Sequence, residues 1–226
     1  EEEEEEEEWF VGEDWKNYGL CESLLKGIWK NGFEKPTPIQ KAVFLSSGKG
    51  SDVIGAAETG SGKTLAFGLP MLNRIITRYT AKEGTQKTNE EGLKGLVISP
   101  TRELALQISD HLKKISVFSN VGICTIVGGL AEEKQLRMLS YHPHIVVGTP
   151  GRLWKLMSDG NDYLSNLTEL EFLVIDEADR MLERAHFSEL REILNLLSQC
   201  GGGSGGRAVI DDKESEEEEE KEKEEE

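Results

Sequence analysis

The chain has 226 residues, 37% of them hydrophobic, and a net charge of −17. That length suffices for one α/β domain with a real core plus tails. No apolar stretch reaches 18 residues and no signal peptide is present, so no membrane role is expected. Cys21, Cys124 and Cys200 are scattered and odd in number, and His111, His142, His144 and His186 lack zinc-like spacing. Neither a disulfide framework nor a Cys/His zinc-type centre is expected, which fits a reducing intracellular compartment.

The acidity is concentrated at the ends. Residues 1–8 are all glutamate, and residues 211–226 carry 12 acidic and 3 basic side chains. The span between holds 23 of each and is neutral, so it can present a local basic groove, with Arg102, Lys113, Lys114, Arg137 and Arg152 as candidates. The expected organisation is an acidic disordered tail over 1–14, a folded domain over 15–200, and a Gly/Ser linker with a second acidic tail over 201–226. The tails either bind basic proteins and ribonucleoprotein components or act as solubilising linkers; in both cases they repel RNA at low salt.

Along the chain, Leu20, Leu24, Leu25 and Ile28 stand at helical spacing in an entry segment. Apolar runs near 53–57, 95–99, 122–127, 144–148 and 171–176 then alternate with helical patterns. This predicts a parallel sheet with right-handed crossovers and helices on both faces. The polar stretch Thr80 to Gly92 is an expected loop, and His142-Pro-His144 an expected turn before a strand. Phe187, Leu190, Leu194 and Leu197 mark one face of a late helix.

Ala57-Glu-Thr-Gly-Ser-Gly-Lys-Thr64 lies between the first apolar run and a helical pattern, the context of a phosphate loop. Gly60 and Gly62 let the backbone approach phosphate, and the helix start adds positive potential. Lys63 would reach the β and γ phosphates and Thr64 would ligate Mg²⁺. Glu58, Thr59 and Ser61 complete the loop; the general pattern begins with Gly where this chain has Ala57. Asp176-Glu-Ala-Asp179 ends the run Phe172-Leu-Val-Ile175. It reads either as a helix-start acidic cluster or as a site, and the phosphate loop upstream favours the site. Asp176 then suits Mg²⁺, directly or through water, and Glu177 suits general-base work on a water.

With both motifs present, the chain resembles the DEAD-box RNA helicases over about residues 15 to 197, and further motifs agree in order. Gly32-Phe-Glu-Lys-Pro-Thr-Pro-Ile-Gln40 looks like the adenine-reading Q motif, with Phe33 packing near the base and Gln40 donating and accepting. Trp15 stands where the family has its isolated upstream aromatic. Pro100-Thr-Arg102 and the residues after it, Gly128-Gly129, and Thr149-Pro-Gly-Arg152 match the motifs that contact the RNA sugar–phosphate backbone. Singly, each also reads as an ordinary strand-to-helix cap. Hence Pro100, Thr101, Arg102, Gly128, Gly129, Thr149, Pro150, Gly151 and Arg152 are the implied RNA-binding residues. Asp179 is the implied coupling residue between domains.

The resemblance implies a RecA-like phosphate-loop fold, ATP and Mg²⁺ as cofactors, and RNA gripped without sequence specificity. Gly55 to Phe67 looks closest to nucleolar members linked to large ribosomal subunit assembly, implying a nuclear or nucleolar location. No Ser-Ala-Thr tripeptide follows Asp179. The family's strand bearing it lies between the phosphate-loop strand and the Asp-Glu-Ala-Asp strand, and Val209-Ile210 is too short to replace it. The expectation is therefore a marginally stable fragment, without a second RecA-like domain, that hydrolyses ATP poorly by itself. The competing expectation is a non-catalytic module that binds nucleotide or partners.

Overall fold

The structure, a computed structural model, describes residues 9–47, 52–58, 60–80, 92–182 and 187–200. Within these, β1 (Gly95–Ile98), β2 (Ile123–Ile126), β3 (Ile145–Gly148) and β4 (Phe172–Ile175) form one parallel sheet in the order β2-β3-β1-β4. The helices are α1 (Glu13–Lys16), α2 (Glu22–Lys30), α3 (Pro38–Ser47), α4 (Lys63–Ile75), α5 (Arg102–Ile115), α6 (Glu132–Leu139), α7 (Pro150–Ser158), α8 (Asp162–Ser165), α9 (Ala178–Leu182) and α10 (Phe187–Cys200). A π-helical turn, Ile76–Thr80, extends α4. It takes in Thr80, the first residue of the expected loop; residues 81–91 lie outside the described set.

Strand alternation divides the core in two. Val97, Ile145 and Val147 pack with Leu24, Ile28, Leu69, Leu72 and Leu112 from α2, α4 and α5. Leu96, Ile98 and Val146 pack with Leu153, Leu156, Leu190 and Ile193 from α7 and α10. Both faces are thus covered, which is why the strands read as continuous apolar runs. Glycine permits one close crossing: a Cβ on Gly27 of α2 would lie 1.9 Å from the Ile115 carbonyl oxygen of α5.

Four of the five expected strands form. The fifth, at 53–57, does not: Val53 is 43% exposed and Ile54 fully exposed. The reason lies at the sheet edge. β4 is the outermost strand, and among the described residues nothing pairs with its far side. A phosphate-loop strand would need an intervening strand before it could reach the ladder. None is found among the described residues, so the segment has no strand beside it to pair with. β4 bears the mark of this. Its four residues are all partly exposed, whereas those of β1 and β3 are all buried. Phe-Leu-Val-Ile is the sequence of an interior strand placed at an edge.

Two other boundaries shift. Val11 is buried in the first core and Trp9 packs against it, so the packed body begins before Trp15. Leu24 and Ile28 of α2 are buried as the spacing predicts and Leu25 is partly so, whereas Leu20, also buried, precedes the helix. In α10, Leu190 is buried beside Ile193, which the expected face omitted; Leu194 and Leu197 lie against them. The Phe187 side chain lies outside the described set, as do the acidic tails at 1–8 and 211–226, the Gly/Ser linker, Thr59 and Val209-Ile210.

Candidate active site and nucleic-acid edge

α4 starts at Gly62, with φ 93°, just after Gly60, with φ 83°. Both conformations are left-handed, which is the reason for glycine at these two positions. Gly62 caps the helix without a side chain, so the first-turn N–H groups keep their capacity for an external acceptor. The Ser61 hydroxyl is buried beside them with no partner among the described residues. Lys63 donates to the Ala57 carbonyl at 2.8 Å, closing the loop on itself. Gln40 is 3% exposed. Its Oε1 accepts from the Thr37 N–H at 2.8 Å and its Nε2 donates to the Gly62 carbonyl at 3.2 Å. A Cβ on Gly62 would stand 2.5 Å from that Nε2. The side chain expected to read adenine thus rests against the phosphate loop.

Asp176 follows β4, its N–H bonded to the Ile98 carbonyl at 2.9 Å. Burial, and then the neighbouring Glu177 charge, push its carboxyl above the usual range, while Lys63 opposes them. Glu177 has φ 49°, rare for a residue with a Cβ and a sign of local strain. Its Oε2 accepts from Arg180 Nη1 at 2.9 Å. Asp179 is exposed on α9.

One groove of about 440 Å³ joins these parts, with Phe33, Gln40, Lys63, Thr64, Asp176 and Glu177 in its walls. Two placements differ from expectation. Trp15 is fully buried and outside the groove; its indole donates to the Phe33 carbonyl at 2.9 Å, so it acts by holding Phe33. Conversely, Gln107, His111 and Lys114 of α5 line the groove opposite Phe33. No motif marks Gln107 or His111; Lys114 was among the basic-groove candidates, at helical spacing from both.

The three strand-end motifs meet along the same sheet edge. Thr101 caps α5, its hydroxyl accepting the Leu104 N–H at 3.3 Å. Pro100, half-buried, precedes it. Arg102 donates to the Gly128 carbonyl at 3.2 Å, and a Cβ on Gly129 would meet that guanidinium at 2.3 Å. Thr149 precedes Pro150 at the start of α7, but its hydroxyl makes no cap bond. Its N–H bonds the Ile126 carbonyl at 3.2 Å, tying β3's end to β2's. Gly151 follows in the first turn, and Arg152 is held by Glu132 at 3.1 Å and Gln135 at 3.4 Å, both on α6. Glu132 and Gln135 were not among the sequence candidates.

The donor set fits a nucleotide with a divalent cation. A glycine-capped helix start, a buried unpartnered hydroxyl and a lysine suit phosphate. A carboxylate that burial disfavours, beside the Thr64 hydroxyl, suits Mg²⁺. The same burial makes a prediction. Asp176's raised folded-state pKa stabilises the fold only below the ordinary carboxylate range, and that stability is lost as pH rises through the raised value. Asp176→Asn should therefore melt above wild type near neutral pH, with the gap closing on acidification. Melting curves across pH would show this; identical curves at neutral pH would refute the burial penalty.

A family model described as DEAD/DEAH box helicase matches residues 37–209. The chain belongs to that family. It is 50% identical over 206 residues to DEAD-box ATP-dependent RNA helicase 13 of Oryza sativa subsp. japonica, covering 85% of this chain and 25% of that protein. It is 44% identical over 183 residues to ATP-dependent RNA helicase mak5 of Schizosaccharomyces pombe, covering 81% and 27%. A solved DEAD box protein from the hyperthermophile Methanococcus jannaschii superposes with a TM-score of 0.68 at 32% identity, over 81% of this chain and 46% of that one. The RecA-like fold is therefore shared with solved members of the family. The chain spans about a quarter of the length of the curated relatives it matches.

Proposed function

We propose that this chain is the ATP-binding, RNA-gripping first half of a DEAD-box RNA helicase, which in the longer protein couples ATP hydrolysis to local duplex opening or ribonucleoprotein remodelling. The observation that carries the reading is one groove holding the Gly62-capped start of α4, Lys63 and Thr64 opposite Asp176 and Glu177. Lys63 leaves the Ala57 carbonyl and meets the β and γ phosphates. Ser61 and the first N–H groups of α4 take phosphate oxygens. Gln40 and Phe33 hold the base end. Thr64 and Asp176 hold Mg²⁺, which neutralises phosphate charge when bound. Glu177 accepts a proton from the attacking water. Asp179 links the site to a second domain.

Along the neighbouring edge, Thr101, Arg102, Gly128, Gly129, Thr149 and Arg152 follow three adjacent strands and take successive RNA phosphates. Backbone contacts of this kind position RNA without reading its sequence. The Gly55 to Phe67 resemblance supports a nucleolar role in ribosome assembly, with basic ribonucleoprotein partners for the acidic tails. The far edge of β4, which no described residue pairs, favours a second reading, a nucleotide-binding module without turnover.

Thermal unfolding with and without Mg-ADP tests the site. Nucleotide at a hundred times its Kd should stabilise the native chain by about 2.7 kcal/mol. Lys63→Ala should abolish that shift while leaving the ligand-free melting temperature near wild type. An undiminished shift in Lys63→Ala would reject the phosphate-loop assignment. A shift in wild type without any RNA-stimulated hydrolysis by the longer protein would favour the second reading.

A further inference from the structure

Glu132 sits at the first position of α6, two residues past the Gly-Gly-Leu turn, and its Oε2 accepts from two cations at once. Arg152 Nη1 and Lys155 Nζ, both from α7, each lie 3.1 Å from that single oxygen. Two cations converging on one anionic oxygen is the coordination a phosphate oxygen receives. The partners differ in freedom. Arg152 has a side chain only 12% exposed, whereas Glu132 is 43% exposed. Gln135, fully buried, anchors the arrangement from below: its Oε1 accepts from Arg152 Nε at 3.4 Å and its Nε2 donates to the Leu130 carbonyl at 3.0 Å. Arg152 Nη2 is buried with no partner among the described residues. The guanidinium is thus fixed and under-used, and the carboxylate in front of it is the movable group.

We propose that Glu132 is an internal phosphate mimic, which occupies the Arg152–Lys155 cation pair in the RNA-free state and must swing out before an RNA phosphate can dock there. This rests on the reading that the Arg102–Gly128–Arg152 edge carries RNA. The device has a physical consequence. Exchanging a carboxylate for a phosphate releases fewer counterions than filling a bare cation pair, so it lowers both the affinity and its salt dependence. It also discriminates: a weak or misplaced anion does not displace Glu132, whereas a strand already held by Arg102 and Gly129 presents its next phosphate at high effective concentration. Lys155 becomes an RNA contact, outside the residues that the sequence motif marks.

Fluorescence anisotropy of a labelled single-stranded oligouridylate, titrated with the full chain over a series of KCl concentrations, tests this. Glu132→Gln should bind about two- to fivefold tighter at low salt, the worth of one or two exposed ion pairs. The slope of log affinity against log salt should steepen by about 0.7, the worth of one net cation on a single strand that Glu132 no longer offsets. In an Arg152→Ala background the Glu132→Gln gain should shrink. If Glu132→Gln melts non-cooperatively, Glu132→Ser is read in its place, since either removes the charge. Unchanged or weaker RNA binding by the folded variant overturns the proposal and makes Glu132 a structural tether for Arg152. RNA binding unaffected by Arg152→Ala alone would instead reject the RNA reading of this edge, so the two failures are distinct.

Discussion

On the proposed function, Glu177→Gln should lower the RNA-stimulated ATP turnover of a longer protein carrying both halves by about 10²- to 10⁴-fold, the range for loss of a positioned general base. Nucleotide affinity should stay unchanged. The substitution keeps the shape of the side chain and an oxygen for Arg180, which lies 2.9 Å from Oε2. It removes only basicity. The backbone at this position also argues for chemistry rather than packing. Glu177 has φ 49°, a conformation that disfavours side chains with a Cβ, and the strand before it supplies no packing reason for a charged residue there. The turn places the carboxylate in the wall of the same groove as Lys63, with Arg180 bonded to its Oε2. Steady-state hydrolysis beside a nucleotide-binding isotherm checks both halves. Turnover at the wild-type rate would remove Glu177 as the base, and a parallel loss of affinity would show that it holds the cation instead.

The parts of this site that were legible in the sequence are those whose chemistry requires a residue type at a fixed spacing. Gly60 and Gly62 must adopt positive φ, and Lys63 and Thr64 must follow at the helix start. Asp176 must end an apolar strand of the sheet. Each requirement acts within a few residues, so a linear pattern carries it. The part Trp15 plays, and the residues Glu132, Gln135, Gln107 and His111, escaped for the opposite reason. Trp15 reaches Phe33 across 18 positions, and Arg152 meets Glu132 across 20, through crossings that only the assembled helices define. The sheet shows the same division. The apolar runs at 95–99, 122–127, 144–148 and 171–176 became strands because each has an apolar parallel neighbour in register. The run at 53–57 has the right composition and no neighbour. Strand propensity alone does not satisfy backbone groups.

That asymmetry gives the sharpest stability prediction. In a sheet where the phosphate-loop segment were a strand, Ile54 would be a core residue. Here it is fully exposed, so Ile54→Ala should change stability by less than about 0.5 kcal/mol, as for other exposed positions. Leu96, fully buried in β1 and paired with Val146 and Leu173, should cost about 2–5 kcal/mol when cut to Ala. Urea unfolding of the two variants and wild type measures the contrast, and near-equal losses would place 53–57 in the sheet after all. The same pair of substitutions acquires a second meaning in the longer protein. Any apolar strand that pairs with the free edge of β4 would give 53–57 a neighbour and bury Ile54 behind it. Ile54→Ala should then become costly while Leu96→Ala keeps its value. The change in the Ile54 penalty between the two lengths of protein therefore reports directly whether the edge of β4 is filled, and with it whether the phosphate loop is held by the sheet or only by Gln40.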